Sequence, residues 1–147
     1  MGVGRAGARP SPPSLQNVLV VDASVIVPAV ADDGEEGALC RRRLRGERLA
    51  APDLLRVEAL SALRRRVRTG GLSAGRAADA VGDLLALPVA VYTSTLLLRR
   101  IWQLRDNLTS YDACYLALAE ALGASLLTRD SRLAKTPGAR CPIEVLG

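Results

Sequence analysis

Hydrophobic runs alternate with amphipathic stretches along this chain from residue 17 onward. The first run, residues 18–21, is an unbroken series of valine and leucine, which is typical of a strand buried on both faces of a parallel sheet. Apolar residues at helical spacing follow it, and the alternation repeats to the end of the chain. The pattern predicts strands at 18–21, 48–51, 89–92, 125–128 and 143–146. It predicts helices at 24–31, 35–45, 52–68, 74–87, 95–105, 110–122 and 131–135.

Turn and cap residues support these boundaries. Pro52 is expected to open the third helix, because its fixed φ and missing N–H suit a first helical position. Strands that alternate with helices predict an α/β fold, here a three-layer α/β/α sandwich around a central, mainly parallel sheet. Residues 1–16 are rich in Gly, Pro, Ala and Ser and are expected to form a disordered extension. Residues 17–147 are expected to form a single domain.

Four acidic residues stand in or beside apolar segments. Asp22 directly follows the first predicted strand, and Asp130 comes just after the fourth. Glu58 lies among leucines in the third helix, and Asp112 is in the first turn of the apolar sixth helix. Because the carboxyl ends of parallel strands meet at one edge of a sheet, Asp22 and Asp130 are expected to face the same edge. Buried carboxylates need a partner, and four that converge indicate a hard divalent cation such as Mg²⁺ or Mn²⁺.

Each acid also has a purely structural interpretation. Asp22 and Asp130 stand where they can cap the helices that follow them. Asp112 has the spacing of a capping box, with a threonine three residues earlier. Glu58 can pair with Arg65 on the same helix. These interpretations hold singly but conflict as a set, because close carboxylates repel one another until a cation is bound.

Composition narrows the chemistry. The net charge of +5 favours a polyanionic partner such as nucleic acid, and the absence of histidine excludes a histidine acid–base pair. Three cysteines without metal-ligand spacing argue against a disulfide framework or a zinc site, and favour a reducing cytoplasm. No apolar run is long enough to span a bilayer, so no membrane partner is expected.

Three segments, taken together, resemble one known family. They are Val-Val-Asp-Ala-Ser at 20–24, Thr-Ser-Tyr-Asp-Ala at 109–113 and Leu-Thr-Arg-Asp-Ser at 127–131. With the helix that carries Glu58, they resemble the PIN-domain family, and within it the VapC-type ribonuclease toxins of type II toxin–antitoxin systems. The resemblance covers residues 17–147.

This resemblance implies a Mg²⁺- or Mn²⁺-dependent endoribonuclease that hydrolyses RNA phosphodiester bonds and, as a toxin, inhibits translation. The implied catalytic residues are Asp22, Glu58, Asp112 and Asp130, of which the three aspartates are the implied metal ligands. Ser24 and Thr128 are expected to support the site. The implied partners are RNA, a cognate antitoxin and a second copy of the chain. The candidate RNA-binding residues are Arg42, Arg43, Arg45, Arg65 and Arg68.

Other readings of the same pattern stay open at the level of sequence. A receiver domain needs adjacent acids after the first strand and a late lysine, and Lys135 is badly placed for that role. A haloacid-dehalogenase phosphatase needs Asp-x-Asp, but Ser24 stands at the second acidic position. A non-catalytic RNA- or protein-binding module on the same fold would keep the acids for structural reasons.

Overall fold

The computed structural model describes residues 18–147, and the extension predicted at 1–16 lies outside them. No helix within 18–147 is both long enough and apolar enough to cross a bilayer. The strands are β1 Val18–Val21, β2 Arg48–Pro52, β3 Val89–Tyr92, β4 Ser125–Thr128 and β5 Ile143–Val145. The α-helices are α1 Ala23–Ala31, α2 Glu35–Leu44, α3 Leu55–Arg68, α4 Ala74–Ala86, α5 Leu98–Gln103 and α6 Ser110–Leu122. Short 3-10 helices span Thr95–Leu97 and Leu133–Lys135.

The five strands form one parallel sheet in the order β3-β2-β1-β4-β5. The chain steps from β1 through β2 to β3, then crosses to β4 on the other side of β1. Right-handed crossovers in these two directions place α1 to α4 on one face of the sheet and α5 and α6 on the other. Accordingly, α1 packs with α2, α3 and α4, whereas α5 packs with α6. The predicted three-layer α/β/α sandwich with a parallel sheet is therefore confirmed.

The reversal of strand order between β1 and β4 positions the site. In open α/β sheets the crevice outside the carboxyl ends of the strands, at such a switch point, is where ligands bind. We call this side of the sheet the carboxyl edge; it carries Asp22 after β1 and Asp130 after β4. The two strands are paired in parallel from Leu19↔Ser125 to Val21↔Leu127, so Asp22 is level with Thr128 and Asp130 follows two residues further along the chain.

Helix α6 forms the centre of the core on its face of the sheet. Seven consecutive residues, from Ala113 to Ala119, are buried, and the helix packs against β1, β2 and β4. Small side chains on most of this stretch let the helix lie close to the sheet, while Tyr115 fills the remaining depth at 1% exposure. The first turn of α6 is thereby held over the carboxyl edge.

The prediction that Pro52 opens a helix was wrong. Pro52 is the last residue of β2, paired with Tyr92, and α3 begins only at Leu55. The last β2 residue that pairs with β1 is Ala50, so Pro52 lies beyond that ladder and its missing N–H breaks no bond to β1. The helix predicted at 95–105 is also shorter, as a 3-10 turn precedes α5, and the one predicted at 131–135 is a single 3-10 turn.

Candidate active site

The four predicted acids are all placed at the carboxyl edge by the starts of helices or the ends of strands. Asp22 is the N-cap of α1, Glu58 lies in the first turn of α3, and Asp112 lies in the first turn of α6. Asp130 follows β4 by two residues. The helix N-termini present unpaired N–H groups and positive dipole ends, which favour negative charge. Local structure thus accounts for why carboxylates are tolerated there.

Two hydroxyl groups hold the carboxylate of Asp22. Thr128 Oγ1 donates to Asp22 Oδ2 at 2.6 Å, and the backbone N–H and hydroxyl of Ser24 both donate to Oδ1. Burial raises the pKa of Asp22, the three hydrogen bonds lower it in part, and the charge of Asp112 raises it further. Because Asp22 is only 7% exposed and Thr128 is fully buried, this carboxylate has one fixed orientation.

Glu58 is held by a tyrosine rather than by an arginine. Tyr115 Oη, from α6 on the other face of the sheet, donates to Glu58 Oε1 at 2.9 Å. Burial raises the pKa of Glu58, and the charges of Asp112 and Asp22 add to that increase. No ion pair joins Glu58 to Arg65 within residues 18–147, so the structural interpretation of Glu58 as an ion-pair partner is not what the structure shows.

Asp112 and Asp130 differ in their partners. Thr109 caps α6 by accepting from the N–H of Asp112 at 3.2 Å, while burial and then the charge of Asp130 raise the pKa of Asp112. Asp130 accepts from the guanidinium of Arg132, at 2.7 Å to Oδ2, and this hydrogen bond holds the pKa of Asp130 below its usual value. The two aspartates and Arg132 line a common cavity of about 180 Å³.

The donor chemistry of these side chains fits a divalent cation. Burial and then neighbouring negative charge raise the pKa values of Asp22, Glu58 and Asp112, and none of them has an arginine or lysine ion pair within residues 18–147. Oxygen ligands are those that Mg²⁺ and Mn²⁺ prefer, and a cation would relieve the repulsion. In the described part of the chain, no three acidic, cysteine or histidine side chains are already arranged as a metal cluster.

A groove between α1 and α3 leads away from the acids. It has a volume of about 480 Å³, and Ser24 and Glu58 line its inner part. Three arginines line it as well: Arg65, which is a predicted RNA-binding residue, its neighbour Arg66, and Arg129, which the sequence did not predict. We call this groove, with Ser24, Glu58 and the three arginines, the basic groove. Helical spacing could have identified Arg66, which lies eight residues after Glu58 on α3.

The structure does not bring the remaining candidate arginines to the acids. Arg42, Arg43 and Arg45 lie at the end of α2, just before the chain enters the amino end of β2. Arg43 is bonded there to Glu47 at 2.8 Å and to Glu144 at 2.6 Å. Because α2 returns the chain to the start of a strand, its last turn faces the opposite edge of the sheet. Arg68 ends α3, exposed, and does not line the basic groove.

Comparisons with known proteins agree with this architecture. The PIN domain family matches residues 19–139 of the chain. Ribonuclease VapC9 of Mycobacterium tuberculosis is 41% identical over 129 residues, which are 88% of this chain and 98% of the relative. Ribonuclease VapC1 of the same species is 43% identical over 128 residues, 86% and 96% of the two chains.

A solved structure gives the same result at the level of the fold. The crystal structure of PAE2754 from Pyrobaculum aerophilum superposes with a TM-score of 0.62 at 30% sequence identity, covering 89% of this chain and 85% of that one. The α/β sandwich of this chain is thus shared with a protein of solved structure. The chain belongs to the PIN-domain family, among its VapC-type members.

Proposed function

We propose that this protein is a divalent-metal-dependent endoribonuclease, a hydrolase that cuts RNA phosphodiester bonds, and that it is the toxin of a toxin–antitoxin pair whose activity inhibits translation. One observation carries the proposal. Three buried or half-buried carboxylates, of Asp22, Glu58 and Asp112, lie at the switch point of the sheet without a cationic partner in the described residues. The relatives are named ribonucleases, which supports RNA as the substrate.

Asp22, Asp112 and Asp130 are the residues that would hold the metal ion, Mg²⁺ or Mn²⁺. When bound, such an ion lowers the pKa of water and stabilises charge on a phosphate. The protein contributes orientation: Thr128 and Ser24 fix both oxygens of Asp22, and Thr109 fixes the turn that carries Asp112. In the metal-free protein the guanidinium of Arg132 neutralises Asp130, so Arg132 competes with the metal ion for that carboxylate.

Glu58 is the group we assign as proton acceptor, in preference to Asp112. Its pKa is raised by burial, which brings a carboxylate closer to the working range of a general base. The hydrogen bond from Tyr115 fixes one oxygen of Glu58, at 2.9 Å, and leaves the other oxygen available. Glu58 also lines the basic groove, so a strand lying in the groove passes beside it. The chain has no histidine that could take this role.

The test is cleavage of a mixed RNA pool by purified, antitoxin-free protein in Mg²⁺ or Mn²⁺ and in EDTA. Asp112→Asn should lower cleavage by at least about 100-fold, as expected for loss of a group that holds the reacting centre together. The matched control is Asp79→Asn, which makes the same change at an exposed position on α4. Cleavage that persists in EDTA, or at full rate in Asp112→Asn, would contradict the proposal and favour a non-catalytic binding module.

The proposal includes the partners of such a toxin. They are a cognate antitoxin protein and a second copy of the chain, and the compartment is the cytoplasm. The three cysteines, Cys40, Cys114 and Cys141, are all unpaired, which suits a reducing compartment. Co-purification with the product of a neighbouring small gene, and the mass of the resulting complex in solution, test both partners.

A further inference from the structure

The basic groove is built by one stripe of side chains from each of two helices. On α3, Glu58, Ala62 and the pair Arg65 and Arg66 follow one another at spacings of three to four residues, so they share a face. On α1, Ser24 and Val27 form the facing stripe. The catalytic end of the groove is therefore acidic, its middle is lined by small residues, and its outer end is basic.

The cations of the groove are not used to hold the fold together. Neither Arg65 nor Arg66 has an ion pair or a side-chain hydrogen bond within residues 18–147. Within residues 18–147 the guanidinium of Arg129 has one ion pair, with Glu36 at 3.3 Å, and the side chain of Glu36 is 66% exposed. Exposed pairs of this kind contribute little to stability and exchange readily with another anion.

Arginines elsewhere in the molecule show the contrast. Arg76 and Arg100 each donate through two nitrogens to a carboxylate, of Asp33 and Glu120 respectively. Those arginines tie elements of the fold together, and a ligand would have to displace a carboxylate to reach them. The arginines of the basic groove offer guanidinium groups that need no such displacement.

The size of the groove restricts what it can hold. Helices α1 and α3 pack directly against each other, and such packing holds helix axes about 8–10 Å apart, so the groove between them is narrow and suits one strand better than a duplex. The helix rises by about 10 Å from Glu58 to Arg65. This is the length of about three nucleotides of a stacked strand, at roughly 3.4 Å for each. No aromatic side chain lines the groove, so base stacking contributes nothing there.

We propose that the basic groove binds the sugar–phosphate backbone of a single RNA strand, with Arg129 on the phosphate nearest the acids and Arg65 and Arg66 on phosphates further along. This inference rests on the proposed ribonuclease function and names the path of its substrate. Recognition through phosphates positions the strand without reading its bases. The uncut part of a single-stranded segment is thus held against α3, while the bond to be cut lies beside Glu58.

The experiment measures binding and cleavage separately. Fluorescence anisotropy in EDTA gives the affinity for an end-labelled single-stranded RNA over a series of NaCl concentrations. The groove variant Arg65→Gln/Arg66→Gln should reduce the slope of log affinity against log salt by about 1.4, which is about 25-fold in affinity at 0.1 M salt. In Mg²⁺, its KM should rise by a similar factor while kcat is retained.

The control variant is Arg48→Gln/Arg99→Gln, which removes the same two charges at exposed positions outside the groove. We expect it to keep the salt slope and the KM of the wild type. An equal loss in both double variants overturns the proposal, because net charge then explains the binding. No change of slope or KM in the groove variant also overturns it.

Two further outcomes separate this proposal from its alternatives. Polyglutamate serves as a probe for an acidic protein partner. If the groove variant loses binding to polyglutamate but keeps its RNA affinity and KM, the groove is a protein-docking surface and the RNA assignment is overturned. If the wild type neither binds RNA in EDTA nor cuts it in Mg²⁺ or Mn²⁺, the ribonuclease function itself fails. If the wild type cuts RNA and the groove variant keeps the salt slope and KM of the wild type, only the proposed path of the strand is overturned.

Discussion

Acidic residues have different partners at the two edges of the parallel sheet. Near the amino ends, a shallow cavity is lined by the first residues of β1, β2 and β4 and also contains Arg43, Glu47 and Glu144. There Arg43 bonds both carboxylates, and its guanidinium holds the pKa of Glu144 below the usual value. Each negative charge at this edge has a positive partner, and the result is a set of ordinary surface ion pairs.

At the carboxyl edge Asp130 has an ion pair with Arg132, but the other three carboxylates have none within residues 18–147. Asp22, Glu58 and Asp112 have pKa values raised first by burial and then by neighbouring negative charge, and the hydrogen-bond donors to Asp22 and Glu58 are the neutral hydroxyl and amide groups of Ser24, Thr128 and Tyr115. Neutral donors orient a carboxylate without neutralising it. The protein has arginines nearby, in the basic groove. The negative charge therefore lacks a partner because of how the side chains are arranged, and not because the chain lacks cations. Perturbed carboxylates in a crevice are the usual mark of a functional site.

The largest expected effect is on stabilisation by metal. A divalent ion that binds only the folded protein should raise its unfolding free energy by about 2.7 kcal/mol at a hundredfold excess over Kd, which is several degrees in Tm. EDTA should remove that gain, and Asp22→Asn should abolish it. Thermal unfolding with and without Mn²⁺ measures the difference, with Asp79→Asn as the control. An equal Mn²⁺ shift in Asp22→Asn would show that the carboxyl edge does not hold the ion.

A smaller effect is expected in the pH dependence of metal-free stability. The pKa of Asp112 is raised above its ordinary 3.8, so the folded state binds the proton more tightly than the unfolded state. The stabilisation linked to this proton is present at low pH and is lost as pH rises through the raised pKa. The variant Asp112→Asn has no carboxylate at this position that could release the proton. Its free energy of unfolding, relative to that of the wild type, should therefore increase as pH rises above 3.8. Urea unfolding in EDTA at several pH values tests this, and a constant difference would contradict it.

The smallest effect is expected at the amino edge. Glu144→Gln removes one partner of a pair whose side chains are 27% and 44% exposed, and Arg43 keeps Glu47. We expect a loss of at most about 1 kcal/mol in unfolding free energy, and only above the lowered pKa of Glu144, because the pair's contribution disappears as pH falls through that value. RNA cleavage should be unchanged. A tenfold loss of cleavage would mean that the two edges are not independent.

The acids of the carboxyl edge were accessible to sequence reasoning for a physical reason. Asp22 and Asp130 follow short apolar runs, and a parallel sheet forces the ends of such runs to one edge. The donors around them were harder to predict, because Tyr115 and Glu58 are 57 positions apart and meet only through packing of α6 against the sheet. An isolated tyrosine in an apolar helix carries no signal of that contact.

The basic residues show where sequence reasoning fails. Arg42, Arg43 and Arg45 form a cluster as dense in the sequence as the arginines at the end of α3, yet α2 directs them to the amino edge. Charge density in a sequence does not indicate which end of a helix faces the site, and that depends on how the helix crosses the sheet. Strand positions were more predictable: β1, β3 and β4 have the predicted bounds, whereas Pro52 was misassigned because its local preference for a helix start was overridden by pairing with β3.

The hydrogen bond between Thr128 and Asp22 has a consequence for the order in which the protein becomes active. It joins residues 106 positions apart, and the strands that carry them pair in parallel. Contacts of such long sequence separation form late and slowly, because the intervening chain must first be ordered. A nascent chain that still lacks β4 has Asp22 but not Thr128. The site of the proposed toxin is therefore incomplete until the ribosome has made β4 and the two residues that follow it.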